Sequence, residues 1–416
     1  MNAPISPAPP PARAPLRSLD EVLADLLGRA STLGGIQQVS TFDADGRVLA
    51  QDLVSGLQVP PHDNSAMDGY AVRTADLAAG KPLPVSQRIA AGAQGVALAP
   101  ATVARIFTGA PVPPGADAVV MQEEAEVVSD GVVQFRGQPA AGQHIRRSGE
   151  DVTRGAVVLP QGRRLDAAAL GMAASIGLAQ VPVARRPRVA LFSTGDELVL
   201  PGDVPPDQMK PGAIYNSNRF FLRTLLLRLG CEVTDLGVVP DKLDATVGAL
   251  QGAAQGHDLI VTSGGVSVGE EDHVKPAVQA LGTLELWQLA IKPGKPFAYG
   301  RVGGAHFIGL PGNPVSSFVT FLLLVRPFIL KLQGATELAV KPMAVRADFT
   351  WAKADKRREF LRVRRNAAGG LDLFANQSSG VLTSMVWGDG LVDTAPGRVI
   401  APGDMVPFIS LAELLA

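Results

Sequence analysis

Several loops in the middle of the chain carry residue types that bind anions and hard cations. Ser263-Gly264-Gly265 combines a hydroxyl with two glycines, whose backbone N–H groups can approach a phosphate closely, and Ser267 adds a second hydroxyl nearby. Asp241 and Asp272 are the candidate metal ligands: together they can share a cation such as Mg²⁺, which keeps most of its waters and needs few carboxylates. Lys292 and Lys295 flank Pro293-Gly294, a stiff turn that can aim two ammonium groups at one anion. Thr194-Gly195-Asp196-Glu197 and Gly312-Asn313-Pro314 complete the set. A lone Gly-Gly turn carries little information, but several polar loops that each follow an apolar run argue together for a ligand crevice.

A second group of polar loops lies earlier. His62-Asp63-Asn64-Ser65-Ala66-Met67-Asp68-Gly69 packs carboxylates and small polar residues into one non-periodic stretch, which reads equally well as a site or as an Asx-type turn. Thr108 and Asp117 are the polar members of a rigid Gly/Pro loop, and Arg146-Arg147 form a local basic cluster that fits a solvated turn or an anion contact.

Other chemistries are excluded. The run ending at Phe192 leads into Ser-Thr-Gly-Asp-Glu, neither a dinucleotide fingerprint nor a Walker loop. No G-x-S-x-G elbow occurs, and the five histidines lack zinc-site spacing. The single cysteine, Cys231, permits no intrachain disulfide and sits where a buried structural thiol is expected.

These loops need elements to position them. Val189 to Phe192, Asp258 to Val261 and His306 to Ile308 are apolar strand candidates, each followed by one of the loops above. Asn216-Ser217-Asn218 caps a helix over Arg219 to Leu229, and further helices are expected over Leu243 to Ala254 and His273 to Leu281. Trp287 to Ile291 reads as another strand, and Phe297 to Tyr299 pairs with His306 to Ile308. The order predicts a parallel α/β sheet with its polar loops at the carboxyl ends. Phe318 to Leu330 is too short and too interrupted by Arg326 and Pro327 to span a bilayer, and reads as a buried helix that stops or kinks near Pro327.

The 416 residues exceed one ordinary core. Apolar residues make up 46% and charged residues 19%, as in a globular chain, and a net charge of -1 provides no general footprint for nucleic acid or membrane. Residues 1–15 are rich in Pro and Ala and are expected to form a disordered tail rather than a signal peptide. Ser18 and Glu21 fit a capping box ahead of a helix that runs to Arg29. Residues 53–149 show short strands between Gly/Pro turns, an all-β pattern, and a second β-rich region fills 337–416. The fold class is therefore multidomain, α+β and α/β, with a central three-layer α/β domain over 183–336 flanked by β-rich domains.

Read together, the loops resemble those of the bacterial molybdopterin molybdenumtransferases, the MoeA family, which is related to the gephyrin E domain. The matching stretches are Asp63 to Ala71, Thr108 to Pro113, Ser193 to Leu198, Asn216 to Asn218, Ser263 to Gly269 with Asp272, Lys292 to Pro296 and Leu310 to Ser316. The resemblance implies a homodimer whose subunits have four domains, one of them discontinuous and joining 16–52 to 150–182 here. It implies a cytoplasmic, Mg²⁺-dependent enzyme that combines molybdate with adenylylated molybdopterin and releases AMP and molybdenum cofactor. It further implies contact with the pathway's adenylyltransferase and with molybdoenzyme apoproteins, and none with nucleic acid or membrane. The implied catalytic residues are Asp68, Thr108, Glu197, Asp241, Asp272, Lys292 and Lys295. Ser263, Gly264, Gly265, Ser267, Gly312, Asn313 and Pro314 would hold the substrate, with Arg358 and Ser378 or Ser379 of the C-terminal domain around the oxyanion. Asp68 and Thr108 are expected to reach a cleft across the dimer interface. A non-catalytic gephyrin-like scaffold and the adenylyltransferase itself are the alternatives.

Overall fold

The computed structural model describes residues 16–78, 81–265 and 273–415. The proline-rich tail and the expected site residues Ser267 and Asp272 lie outside them.

The central sheet has six strands in the order Glu232–Val239, Arg188–Thr194, Leu259–Ser263, Ala305–Leu310, Pro296–Val302 and Gly282–Gln288. The first four run parallel, Pro296–Val302 runs against them, and Gly282–Gln288 pairs antiparallel with Pro296–Val302, so the expected parallel sheet is mixed. Alternate residues of its strands serve two layers, as the period of two dictates. Val189 and Leu191 pack with Leu222, Leu225 and Leu226 of the Asn218–Arg228 helix. Ala190 and Phe192 pack with Leu250 and Ala253 of the Leu243–Gly256 helix and with Val274 and Val278 of the Val274–Leu281 helix. Near-continuous apolar runs, buried on both faces, are what a parallel sheet covered on both sides requires.

Trp287 to Ile291 does not form one strand. Gly282–Gln288 forms a hairpin with Pro296–Val302, while Ile291–Lys292 leaves the sheet and pairs in parallel with Arg358 and Glu359 of the C-terminal domain. The apolar Pro314–Leu332 helix, 83% buried, is the core helix of this layer. It runs through Pro327 instead of stopping there. Five residues, Phe321–Val325, take a π-helical form just ahead of the proline, whose missing N–H breaks the regular ladder.

The N-terminal helix, Leu19–Gly28, carries the expected capping box: Glu21 N–H donates to Ser18 Oγ at 3.2 Å, and Ser18 N–H to Glu21 Oε2 at 3.1 Å. Its Leu19, Val22 and Leu26 are buried in the central core. Ile36–Ser40 pairs antiparallel with Gln180–Ala184. These strands share a small core with the Ala-rich helix Ala167–Ser175, which Asp166 caps by accepting from Ala169 N–H.

The inserted sheet is also six-stranded and includes Leu83–Ile89 and Ala125–Ser129, two strands that turn signals alone did not reveal. Its two faces bury separate clusters, one around Tyr70 and Phe135 and the other around Ile89 and Ile106. Among the described residues no hydrogen bond, ion pair or strand pairing joins residues 60–149 to residues 186–415. The C-terminal sheet is built on Arg358–Arg365 and gains an unforeseen strand, Gly390–Thr394, whose charged neighbours mask its apolar alternation.

Candidate functional site

Because four adjacent strands of the central sheet are parallel, their following loops gather on one edge. Chain order reverses between Arg188–Thr194 and Leu259–Ser263, and a crevice opens at such a switch point. Thr194 leads into Gly195 and Ser263 into Gly264 at this point. A Cβ on Gly264 would lie 3.1 Å from the Thr194 carbonyl oxygen. At Gly265, φ is +67° and a Cβ would meet Val274 Cγ2 at 2.3 Å, so only glycine brings the backbone this close.

One side chain ties the loops together. Asn218, in the first turn of its helix and buried, donates from Nδ2 to Ser263 Oγ and to the Gly312 carbonyl, both at 2.7 Å. The local sequence pattern places Asn218 in a helix cap. Asn216 is the residue that caps, accepting from Arg219 N–H at 3.2 Å. No local pattern separates the two roles, since the bridge depends on strands far apart in sequence.

Gly312-Asn313-Pro314 opens the core helix on the same edge. There the C-terminal domain arrives: Val315 N–H donates to the Ser379 carbonyl at 2.9 Å. The Ser378-Ser379 loop is held from behind by Arg362, which donates to the Ser378 carbonyl, the Phe360 carbonyl and Ser384 Oγ. Arg362 is 1% exposed with no carboxylate partner among the described residues, and burial pushes its pKa down to about 10. The Ser379 carbonyl thus meets the first turn of the core helix, beside Gly312.

Arg358 does not join it. Strand alternation turns it to the opposite face from Arg357 and Glu359, where Asp393 and Asp20 bind its guanidinium and raise its pKa. Its neighbour Arg357, absent from the expected set, lies nearer the cleft lysines. It binds Asp355 at 2.9 Å, and Asp355 lies 3.6 Å from Lys292.

Lys292 is committed inside this network. Its Nζ donates to Glu359 Oε1 at 2.9 Å, and Trp351 Nε1 donates to the other oxygen of that buried carboxylate. Lys295 has no ion pair or hydrogen bond to its ammonium among the described residues, so it is the cation available to an incoming anion. The turn between them is pinned at Gly294, where a Cβ would sit 2.4 Å from Thr320 Oγ1.

Acidic groups stand at the other end of the edge. Asp241 follows Glu232–Val239 and has no hydrogen bond or ion pair to its carboxylate among the described residues. The Glu197 carboxylate folds over Gly195, where a Cβ would lie 2.5 Å from Oε2. Asp196 and Glu197 line a cavity of about 560 Å³ with Lys210. No group of three or more His, Cys, Asp or Glu side chains fit to hold a metal occurs among the described residues.

Asp68 and Thr108 meet each other in the inserted sheet and not the central cleft. Asp68 Oδ1 accepts from Thr108 N–H and from Thr108 Oγ1, both at 2.7 Å, and these bonds hold its carboxyl below the usual range. Arg105 donates to the Gly69 carbonyl and lies over the rings of Tyr70 and Phe107, bracing both loops.

Comparison with known proteins places this arrangement. Residues 17–177 match the MoeA N-terminal region (domain I and II), 190–331 a probable molybdopterin binding domain, and 344–411 the MoeA C-terminal region (domain IV). A molybdopterin molybdenumtransferase of Haemophilus influenzae is 43% identical over 347 residues, covering 83% of this chain and 85% of its own. The chain belongs to the MoeA family. The molybdopterin biosynthesis MoeA protein of Pyrococcus horikoshii OT3 superposes with a TM-score of 0.82 at 28% identity, covering 95% of this chain and 99% of that one. Gephyrin of Dictyostelium discoideum is 32% identical over 76% of this chain and 49% of its own. For this MoeA family member, the cleft described above falls within the segment that matches the molybdopterin-binding model, with domain IV supplying the Ser378-Ser379 loop and the partners of Lys292. Cys231 is buried and its thiol is pushed up to about 12, in keeping with a structural role.

Proposed function

We propose that this protein transfers molybdate into adenylylated molybdopterin, releasing AMP and molybdenum cofactor. The observation that carries the reading is the composite cleft: Ser263, Gly312 and Ser379 are drawn together through Asn218 and Val315, with the Lys295 ammonium, unpaired among the described residues, on the same edge. Molybdate is a tetrahedral dianion and the substrate carries a pyrophosphate link, so the chemistry calls for fixed positive charge and N–H dipoles more than for a covalent nucleophile. The half-buried backbone of Gly264 and Gly265 and the Lys295 ammonium supply these. Lys292, shared with Glu359 and Asp355, holds the turn that aims Lys295.

We infer a Mg²⁺ requirement. The Asp241 carboxylate, without a partner among the described residues, suits an ion that takes one or two protein carboxylates beside substrate phosphates, and Asp272 is its proposed second ligand. The ion would neutralise phosphate charge during P–O cleavage. We further propose a homodimer in which the Asp68–Thr108 pair of one subunit faces the cleft of the other, because the inserted sheet makes no bond to its own central domain among the described residues. The lone, buried Cys231 suits a reducing compartment, and we place the reaction in the cytoplasm, beside the adenylyltransferase that makes the substrate and the apoproteins that take the product.

The test is a reconstitution: purified protein, adenylylated molybdopterin and molybdate, with AMP and cofactor measured together, with and without Mg²⁺. Molybdate- and Mg²⁺-dependent AMP release is the expected result. A scaffold would release none, and an adenylyltransferase would instead consume ATP and free molybdopterin.

A further inference from the structure

An apolar groove of about 560 Å³ runs between the first turns of the Asn218–Arg228 helix and the short Thr383–Trp387 helix of the C-terminal domain. Tyr215, Phe220, Phe221, Phe318 and Met385 line it, with the Phe221 and Phe318 rings 5.1 Å apart. At its rim Phe220 is 53% exposed and Val386 84%, large apolar side chains left uncovered among the described residues.

One buried polar group of the groove has no partner among the described residues. Asn216 lines it and is 2% exposed. Its Oδ1 accepts from Arg219 N–H, but its Nδ2 is shut from solvent and has no acceptor among the described residues. The Tyr215 hydroxyl donates to the Val204 carbonyl at 2.6 Å and accepts nothing from Asn216. A buried amide N–H without an acceptor is unfavourable, and a ligand atom with a lone pair relieves it after a small turn of the side chain.

Position decides what kind of ligand this is. Two residues beyond Asn216, Asn218 bridges Ser263 and Gly312 at the anion cleft. On the facing wall, Leu382 and Met385 follow directly from the Ser378-Ser379 loop that caps the core helix. One molecule can therefore lie with its phosphate link over the glycine loops and a flat ring between the aromatic side chains.

We propose that this groove seats a planar heteroaromatic ring of the substrate, stacked on Phe220 and accepting a hydrogen bond from Asn216 Nδ2. The identity of the molecule that carries the ring rests on the function proposed above; the seat itself rests on the groove. Adenylylated molybdopterin has two such rings, pterin and adenine, and both offer ring acceptors. The groove takes one.

The test uses the full-length protein with two probes, 6-hydroxymethylpterin followed by its own fluorescence and AMP followed by titration calorimetry. The variants are Phe220→Ala, which truncates a half-exposed side chain and leaves the core intact, and Asn216→Ala, whose folding is checked by its melting curve. Wild type should bind one probe, and Phe220→Ala should weaken that probe at least about fivefold, the low end of a lost ring stack. The probe affected identifies the ring. Equal affinity of wild type and Phe220→Ala for both probes, or no binding of either by wild type at millimolar concentration, overturns the seat. Turnover separates the two proposals. Normal conversion of adenylylated molybdopterin with an unchanged KM in Phe220→Ala removes the ring seat and leaves the function standing. No conversion by wild type, together with a probe lost in Phe220→Ala, keeps the seat and removes the function.

Discussion

Replacing Asn218 by alanine should loosen the cleft and destabilise the central domain together. Two hydrogen bonds disappear, to Ser263 Oγ and to the Gly312 carbonyl. Ser263 is 4% exposed, so its oxygen loses a partner that water cannot easily replace, at a cost of about 1.5–3 kcal/mol. Gly312 is exposed, and water can take over there, leaving about 0.5–1 kcal/mol. The sum is roughly 2–4 kcal/mol, which for a domain of this size lowers the melting transition by about 6–12 °C. Turnover should fall more steeply than stability suggests, since a shift of about 1 Å between the two loops can cost on the order of 100-fold in kcat/KM. Asn218→Asp sharpens the test. Ser263 can rotate its hydroxyl and donate to the new carboxylate, but the Gly312 carbonyl cannot, so stability should fall less than with alanine. The added negative charge beside the glycine loops should reduce turnover at least as much. The assays are thermal denaturation and steady-state AMP release, with Ser263→Ala completing a double-mutant cycle. Asn218→Ala at wild-type stability, or effects of Asn218→Ala and Ser263→Ala that simply add, would show that the bridge does not hold the loops.

Three further outcomes are expected. Lys295→Ala should leave the melting temperature unchanged and raise the molybdate concentration for half-maximal rate, whereas Lys292→Ala strands the Glu359 carboxylate, which is 2% exposed, and should cost about 3–5 kcal/mol; identical behaviour of the two variants would remove the distinction drawn between them. Asp68→Ala and Asp241→Ala chains, each nearly inactive alone, should recover about a quarter of wild-type activity after subunit exchange, because a statistical mixture is about half heterodimers with one intact site each; recovery no greater than the sum of the parts, with exchange verified by mass, would place Asp68 on its own chain's side. His306 is 7% exposed between Tyr299, Arg301 and Phe328, and burial with Arg301 beside it lowers its pKa from 6.5 to about 4. The unfolded chain therefore binds the proton first, and this contribution is complete above about pH 6.5 and lost as pH falls towards 4, by about 1.4 kcal/mol per unit; His306→Gln should flatten the wild-type loss of urea stability between pH 7 and 5, and parallel curves would contradict it.

Much of the architecture is local enough to be legible in the chain. Apolar runs buried on both faces, each ending in a Gly-rich polar loop, require a covered parallel sheet, and that sheet puts Thr194, Ser263 and Gly312 on one edge. The capping box of Ser18 and Glu21 acts within three positions, so its helix starts where sequence places it. The chemical character of Lys292 and Lys295 was equally readable, but their difference was not. Lys292 is neutralised by Glu359, 67 positions away, because Ile291–Lys292 leaves the sheet its sequence suggests and pairs with another domain. The resemblance implies Arg358 at the oxyanion, and only the register of that pairing shows that its guanidinium goes to Asp393 and Asp20 on the face opposite Glu359, since a shift of one residue turns a strand side chain to the other face. The Asn218 bridge and the Asn216 groove follow the same rule. Residue type and local conformation are properties of short stretches, whereas the partner of a polar side chain depends on which distant backbones the fold brings within about 3 Å.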